Sequence, residues 1–313
     1  MPSVDGSSAI SLTGLTKYYG RQLGVADLTF TVEPGEVFGF LGPNGAGKTT
    51  AMRMLVGLLR ITRGSATILG QDVGTAPPAM RSRIGYLPGA LALYRNLTGW
   101  EYLSFMARMR GQDLAPRIRG LSERLNLDLD RHIHDLSKGN QQKIGVVQAF
   151  MHAPEVLILD EPTGGLDPIV QREFEALVEE TTAHGAAVLL SSHVLSEVEH
   201  LAERVAILND GHLLVVEHIE HLKQRAVHTV ELTFPQPIDT AAFADLASVD
   251  FVTAHGAVVS CHVVGAETEL LRTAVSLGVE TVRTQEPSLD DIFLSLVTGG
   301  DGHGVGAHGQ VVA

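Results

Sequence analysis

Residues 42–49 read Gly42-Pro43-Asn44-Gly45-Ala46-Gly47-Lys48-Thr49, a complete G-x-x-x-x-G-K-[ST] phosphate-binding loop. Such a loop works only between a strand and a helix, so it restricts the fold as well as the chemistry. Before it, residues 37–41 are a short apolar run of strand type. After it, Ala51, Met52, Leu55, Val56, Leu58 and Leu59 recur at helical spacing. The glycines let backbone N–H groups crowd around phosphate oxygens with no Cβ in the way. The helix N-terminus aims its dipole at the anion. Lys48 is placed to reach the β- and γ-phosphates, and the Thr49 hydroxyl to ligate Mg²⁺. Gly42, Pro43, Asn44, Gly45, Ala46, Gly47, Lys48, Thr49 and the following Thr50 are the nucleotide-binding candidates, with a phosphate-bearing nucleotide and Mg²⁺ as the implied cofactors.

The chain around the loop is α/β. Residues 10–32 alternate apolar and polar side chains with a turn at Gly20, which predicts two half-buried strands. Residues 65–69 and 84–87 read as further strands, and residues 98–151 as mostly helical. Thr98 and Glu101 form a capping box there, and Gly111 stops the first helix. Residues 156–159 are solidly apolar, as in a strand buried on both faces of a parallel sheet. A helix over 168–184, a strand over 187–191, a helix near 195–203 and a strand over 205–208 follow. Asn209-Asp210-Gly211-His212 is a hairpin turn into a last strand, 213–216. Near residue 226 the pattern changes to a small α+β unit. Its elements are a strand over 229–234, a helix over 240–246, a hairpin over 251–264 around His255-Gly256, a helix over 267–277 and a strand over 279–284. Residues 1–8 and the Gly- and His-rich 299–313 are expected to be disordered.

Three features downstream of the loop carry chemistry. Leu159-Asp160-Glu161-Pro162 ends the most apolar strand. Asp160 can hold Mg²⁺, directly or through water, and Glu161 can polarise the water that attacks a γ-phosphate. His193 follows the 187–191 strand at its C-terminal end, where open parallel sheets collect their sites. Leu136-Ser137-Lys138-Gly139-Asn140-Gln141-Gln142 opens a helix with Ser137 as N-cap, a second helix N-terminus able to meet an anion.

Charge and cysteine usage narrow the classes of partner. The chain carries 23 Lys+Arg against 36 Asp+Glu. Beyond residue 225 only Arg272 and Arg283 oppose 11 acidic residues, which argues against nucleic acid or anionic lipid at that end. Cys261 is the one cysteine, so no internal disulfide forms, as suits a reducing cytosol. No apolar run approaches the roughly 20 residues that a membrane span needs. The first residues lack the basic and apolar regions of a signal peptide. The 14 histidines, including His132 with His134 and His218 with His221, lack convergent Cys or carboxylate partners for a metal.

Taken in order, residues 42–49, then 136–142, then Asp160-Glu161, then Gly165-Leu166-Asp167, then His193 resemble the nucleotide-binding subunit of an ABC transporter. The resemblance covers about residues 8–225. It implies a P-loop NTPase core with an antiparallel β subdomain and a helical subdomain at about 95–150, all within a domain spanning 9–225. The small α+β domain would then span 226–298. In that family two ATPase domains close head to tail around two ATP molecules. By the same resemblance Ser137 and Gly139 act in trans on the γ-phosphate held by a second subunit, a homodimer being favoured. Asp167 lies in the loop linking the two sites, and Tyr19 stacks on adenine. Glu161, His193 and Lys48 are the catalytic set and Thr49 and Asp160 the metal ligands. The stretch Glu286-Pro287-Ser288-Leu289-Asp290-Asp291-Ile292-Phe293 looks like the ending of the daunorubicin-resistance type of drug and antibiotic exporter. That implies a protein on the cytoplasmic face of the membrane, held by a separate permease.

Two positions depart from the family pattern. Tyr86-Leu87-Pro88 is followed by Gly89 and Ala90, where the family has Gln or Glu. That side chain normally meets Mg²⁺ and relays nucleotide state to the permease. The loop is expected to be remodelled around Gly89, with a positive φ there and coupling resting on residues 91–97. The signature also has Lys138 and Asn140 in place of Gly and Gln. Two other function classes stay open on sequence alone. One is a non-transport ABC ATPase acting on ribosomes or DNA, against which stand the single phosphate loop and the missing coiled-coil insertion. The other is a non-hydrolysing regulatory subunit, prompted by Gly89.

Overall fold

The computed structural model describes residues 8–285 and 287–297, so the expected disordered ends fall outside the described residues except for Ser8. The chain forms two compact units, Met1–Glu220 and His221–Ala313.

The first unit is built on ten strands. They are β1 (Ile10–Tyr19), β2 (Gln22–Val32), β3 (Val37–Leu41), β4 (Arg63–Ile68), β5 (Gln71–Asp72), β6 (Ile84–Leu87), β7 (Val156–Asp160), β8 (Ala187–Ser192), β9 (Arg204–Asn209) and β10 (His212–His218). Their spatial order is β5-β4-β1-β2-β10-β9-β3-β8-β7-β6. One half is antiparallel: β1 pairs with β2 and with β4, and β4 with β5. The other half is parallel from β9 through β3, β8 and β7 to β6. β3 and β7 are buried along their whole length, the burial expected of strands covered on both faces. The two halves meet at one bridge, His212 to Ala26.

A single core joins both halves. Phe30 of β2 stacks on Phe38 of β3 with ring centroids 5.0 Å apart and meets Phe40 at 5.5 Å. Met52, Met54 and Leu55 of helix Lys48–Leu55 pack into the same cluster. Burying each such side chain is worth about 1.5–3 kcal/mol, so the helix behind the loop is fixed by its apolar face. The predicted capping box is present, with Thr98 N donating to Glu101 Oε2 at 2.8 Å and Glu101 N to Thr98 Oγ1 at 3.2 Å. Helices Gly99–Met109, Ala115–Arg124 and Lys138–Phe150 form the helical lobe. Arg124 ties that lobe to helix Pro168–Ala183 through Glu173 and Glu180. The helix expected near 195–203 is shorter. It ends at Glu199, because Leu201 N and Ala202 N both turn back to Val198 O before the chain re-enters the sheet as β9. Asp210 and Gly211 have φ of 47° and 79° in the hairpin turn, left-handed at both positions as a two-residue turn demands.

The second unit holds β11 (Val227–Thr233), β12 (Val249–His255), β13 (Val258–Val264) and β14 (Thr281–Gln285), in the order β12-β13-β11-β14 and all antiparallel. Helices Ala241–Ala244 and Thr268–Ser276 supply the two crossovers. This β-α-β-β-α-β succession is the split βαβ, ferredoxin-like arrangement. Its core is its own: Val230, Leu232, Phe243, Val259, Cys261, Val263 and Leu270 are fully buried together. Helix Ile219–Arg225 straddles the division between the units, and the boundary expected at 225/226 falls at its end.

Candidate nucleotide site

Parallel pairing of β3, β8 and β7 gathers the candidates at one edge. Leu41 is level with Ser192, and Ser191 with Asp160. The loop after β3, the turn after β7 and the residue after β8 therefore emerge side by side, at the carboxyl ends of the strands.

The loop needs its glycines for measurable reasons. Gly42 has φ 150°, and a Cβ there would lie 2.4 Å from Leu208 O; at Gly47, with φ 105°, it would lie 2.3 Å from Val25 Cγ1. Beyond Gly45 a Cβ would meet nothing within 4 Å. Gly47 caps helix Lys48–Leu55 without any side-chain hydrogen bond, so the first amides of the helix are available to an anion. Lys48 is nearly buried. Its Nζ donates to Gly42 O at 2.6 Å and Pro43 O at 3.3 Å, and stands 3.4 Å from Glu161 Oε1.

Asp160 is fully buried, and both carboxylate oxygens accept from hydroxyls: Oδ2 from Thr49 Oγ1 at 2.7 Å and Oδ1 from Ser191 Oγ at 2.8 Å. Glu161 adopts φ 51°, uncommon for a residue with a Cβ. Its N–H donates to Ser191 O at 3.2 Å and Ser191 Oγ at 3.1 Å, and Gln142 Nε2 donates to its carbonyl at 3.3 Å and to Pro162 O at 2.9 Å. The turn is thus held from both sides. Glu161 Oε2 accepts from His193 Nδ1 at 2.6 Å. Because a carboxylate only accepts, Nδ1 carries the proton in this pair. Glu161 Oε1 is buried and makes no hydrogen bond, and faces the Lys48 ammonium at 3.4 Å.

The remaining candidates make contacts of their own. The Tyr19 ring is half-exposed, its hydroxyl 3.3 Å from Thr50 Oγ1 and Lys17 Nζ 5.3 Å from its centroid. Ser137 caps helix Lys138–Phe150 by accepting from Asn140 N at 3.3 Å. Asp167 caps helix Pro168–Ala183 by accepting from Ile169 N and Val170 N, each at 3.1 Å. Gly139 lies so close to the loop before Asp167 that a Cβ would stand 2.3 Å from Gly165 O.

The expectation at Gly89 is corrected. Its φ is not positive, so the loop does not depend on glycine's left-handed freedom. What glycine provides is room: a Cβ at 89 would stand 3.2 Å from Asp160 Oδ2 and 3.3 Å from Asp160 Cγ. Any side chain at 89 would thus be directed at the carboxylate proposed to hold the metal. Gln142 and Ser191, which position the Glu161 turn, went unassigned in the sequence. Gln142 lies within the 136–142 motif, but nothing in its pattern marks it as a partner of the Glu161 and Pro162 carbonyls.

The chain is similar to known proteins along most of its length. A family model described as ABC transporter matches residues 25–164. The bacitracin transport ATP-binding protein BcrA of Bacillus licheniformis is 33% identical over 302 residues, covering 94% of this chain and 99% of its own. The linearmycin resistance ATP-binding protein LnrL of Bacillus subtilis is 33% identical over 303 residues, covering 90% of this chain and 96% of its own. Among solved structures, an ATP-binding subunit of an ABC transporter superposes with a TM-score of 0.65 at 31% identity, covering 69% of this chain and 92% of its own.

Proposed function

The chain belongs to the ABC transporter family as an ATP-binding, ATP-hydrolysing subunit, and we propose that it powers a separate membrane permease that exports an antibiotic, a drug or another hydrophobic compound. No helix among the described residues is long and apolar enough to cross a membrane, and the translocation path is proposed to lie in another chain. The single observation that carries the export reading is the end-to-end likeness, second unit included, to proteins named for bacitracin transport and linearmycin resistance.

The proposed chemistry divides among the residues gathered at the sheet edge. The amides of residues 45–49 and Lys48 hold the phosphates, and Tyr19 carries the adenine. The donor set of Thr49 Oγ1 and Asp160 Oδ2, 2.7 Å apart, consists of the hard oxygens that Mg²⁺ prefers, and these residues would hold it. Bound there, the ion would screen phosphate charge during transfer. Glu161 orients and polarises the attacking water through Oε1, which also faces Lys48, while its Oε2 is anchored on His193. Two copies are proposed to pair head to tail, each lending Ser137 and Gly139 to the other's nucleotide, with the assembly on the cytoplasmic face of the membrane. The test is co-expression with its neighbouring reading frames in a bacitracin- or linearmycin-sensitive host. Resistance lost in both Lys48→Ala and Glu161→Gln supports the reading; equal resistance in parent and variants overturns it.

A further inference from the structure

Three polar side chains outside the proposed catalytic set, Thr163, Ser192 and Glu197, join its two halves. Thr163, two residues after Glu161, donates from Oγ1 to Glu197 Oε2 at 2.6 Å. Ser192, immediately before His193, donates to the same oxygen at 3.2 Å. The Ser192 hydroxyl in turn accepts from Val194 N at 2.9 Å, immediately after His193. Thr163 and Ser192 are both buried. One carboxylate oxygen therefore ties the turn that carries Glu161 to the loop that carries His193.

The tie matters because neither residue is fixed by regular structure. Glu161 has left β7 and sits at φ 51°; His193 has left β8, and its side chain is half-exposed. Their contact of 2.6 Å depends on the distance between two loops. Leu166 N turns back to Thr163 O at 3.0 Å, so Thr163 also begins the turn that leads to Asp167. A charge-assisted hydrogen bond from a buried hydroxyl is stronger and shorter than a neutral one, which suits it to a strut.

We infer that Thr163 and Glu197 are positioning residues for ATP hydrolysis, a hydroxyl–carboxylate strut that sets Glu161 against His193. The inference rests on the reading of Glu161 and His193 as the catalytic pair. Neither Thr163 nor Glu197 touches substrate in this scheme. Misplacing the pair slows the chemical step, while the phosphate loop, on a different strand, binds ATP as before.

The experiment is steady-state ATPase kinetics of the full chain for Thr163→Val, Thr163→Ser, Glu197→Ala, Glu197→Gln and the Thr163→Val/Glu197→Ala double variant, with nucleotide affinity and thermal unfolding measured alongside. Valine keeps the shape of threonine without the hydroxyl. Thr163→Val and Glu197→Ala are expected to lower kcat about 10-fold with nucleotide affinity unchanged. Thr163→Ser should stay near the parent, and Glu197→Gln, whose amide oxygen still accepts, should recover part of the loss. The double variant should be no slower than either single one, because both remove the same tie. Parental kcat in both Thr163→Val and Glu197→Ala overturns the inference. So does a loss that Thr163→Ser shares, or one that follows the fall in thermal stability and ATP affinity. Glu161→Gln is run beside them: near-parental turnover there would overturn the catalytic reading itself, whatever the strut variants do.

Discussion

Glu161 combines an uncommon backbone, a short bond to His193 and a buried oxygen that faces the Lys48 ammonium. A left-handed φ on such a residue costs of order 1–3 kcal/mol and persists only where its surroundings fix it; here Ser191 and Gln142 supply that support. Glu161→Gln keeps the shape and loses the charge that polarises water. It should bind ATP and turn over about 10²–10⁴-fold more slowly, and a stalled ATP-dependent dimer should appear by size-exclusion chromatography. Turnover near the parent's would remove Glu161 from its role. Gly89 calls for a different prediction. No backbone strain forbids a side chain there, and the Cβ direction points at Asp160. Gly89→Gln should therefore reach half-maximal activity at lower Mg²⁺, at some cost in thermal stability because its Cβ presses on the buried Asp160 carboxylate. A variant that needs more Mg²⁺ would mean that the tight Cβ contact outweighs the added oxygen. At this scale the sequence was most legible where a motif states its own chemistry, as with Lys48, Thr49, Asp160 and Glu161. It was silent on Gln142, Ser191, Thr163 and Glu197, whose roles depend on strand register and loop closure.

Strands and caps follow from local pattern, and their failures are local too. The apolar run ending at Asp160 and the alternation before Val32 foretell β7 and β2, because burial on two faces or one leaves opposite signatures. The helix after His193 ends early, since a return to the sheet outweighs its propensity. Gly139 shows the same dependence on tertiary contact. Its helix would accept alanine, but Gly165 O would lie 2.3 Å from the new Cβ. Gly139→Ala should cost about 1–3 kcal/mol in urea unfolding, the range for overpacking; parental stability would mean that the two loops separate easily. His152, just beyond helix Lys138–Phe150, gives a pH prediction. Burial first, then Arg110, lower its pKa from 6.5 to about 4. Its Nε2 donates to Ile84 O at 3.1 Å, and the buried Nδ1 has no partner for a second proton. Below about pH 6.5 the unfolded chain binds that proton more readily than the folded one. This part of the stability is therefore complete above about pH 6.5 and is lost as pH falls toward about 4. Discounted for partial access to water, the loss is about 1–2 kcal/mol. Urea midpoints near pH 7 and near pH 5 should converge in His152→Gln relative to the parent; an unchanged difference would place the titration elsewhere.

On the scale of the whole molecule, all the proposed nucleotide groups lie in one unit, and the other has a separate core. The change of pattern near residue 226 was legible because a new apolar set begins there, centred on Val230 and Leu232. Its split βαβ order was not, since antiparallel pairing of β11 with both β13 and β14 joins strands distant in the chain. The first unit buries Phe30, Phe38, Phe40 and helix Lys48–Leu55 in one cluster that includes no residue of the second. A chain ending at residue 225, which keeps helix Ile219–Arg225 whole, should therefore remain folded and bind ATP with about the parental affinity. Its hydrolysis per site should be retained as well, because β3, β7 and β8 hold the site by their mutual register. What it should lose is export, if the second unit serves the assembly with the permease. Circular dichroism, nucleotide titration and the resistance assay separate these outcomes. A truncated protein that is folded but no longer binds ATP would show that the second unit helps to build the site. Full resistance without residues 226–313 would remove that unit from the transport cycle.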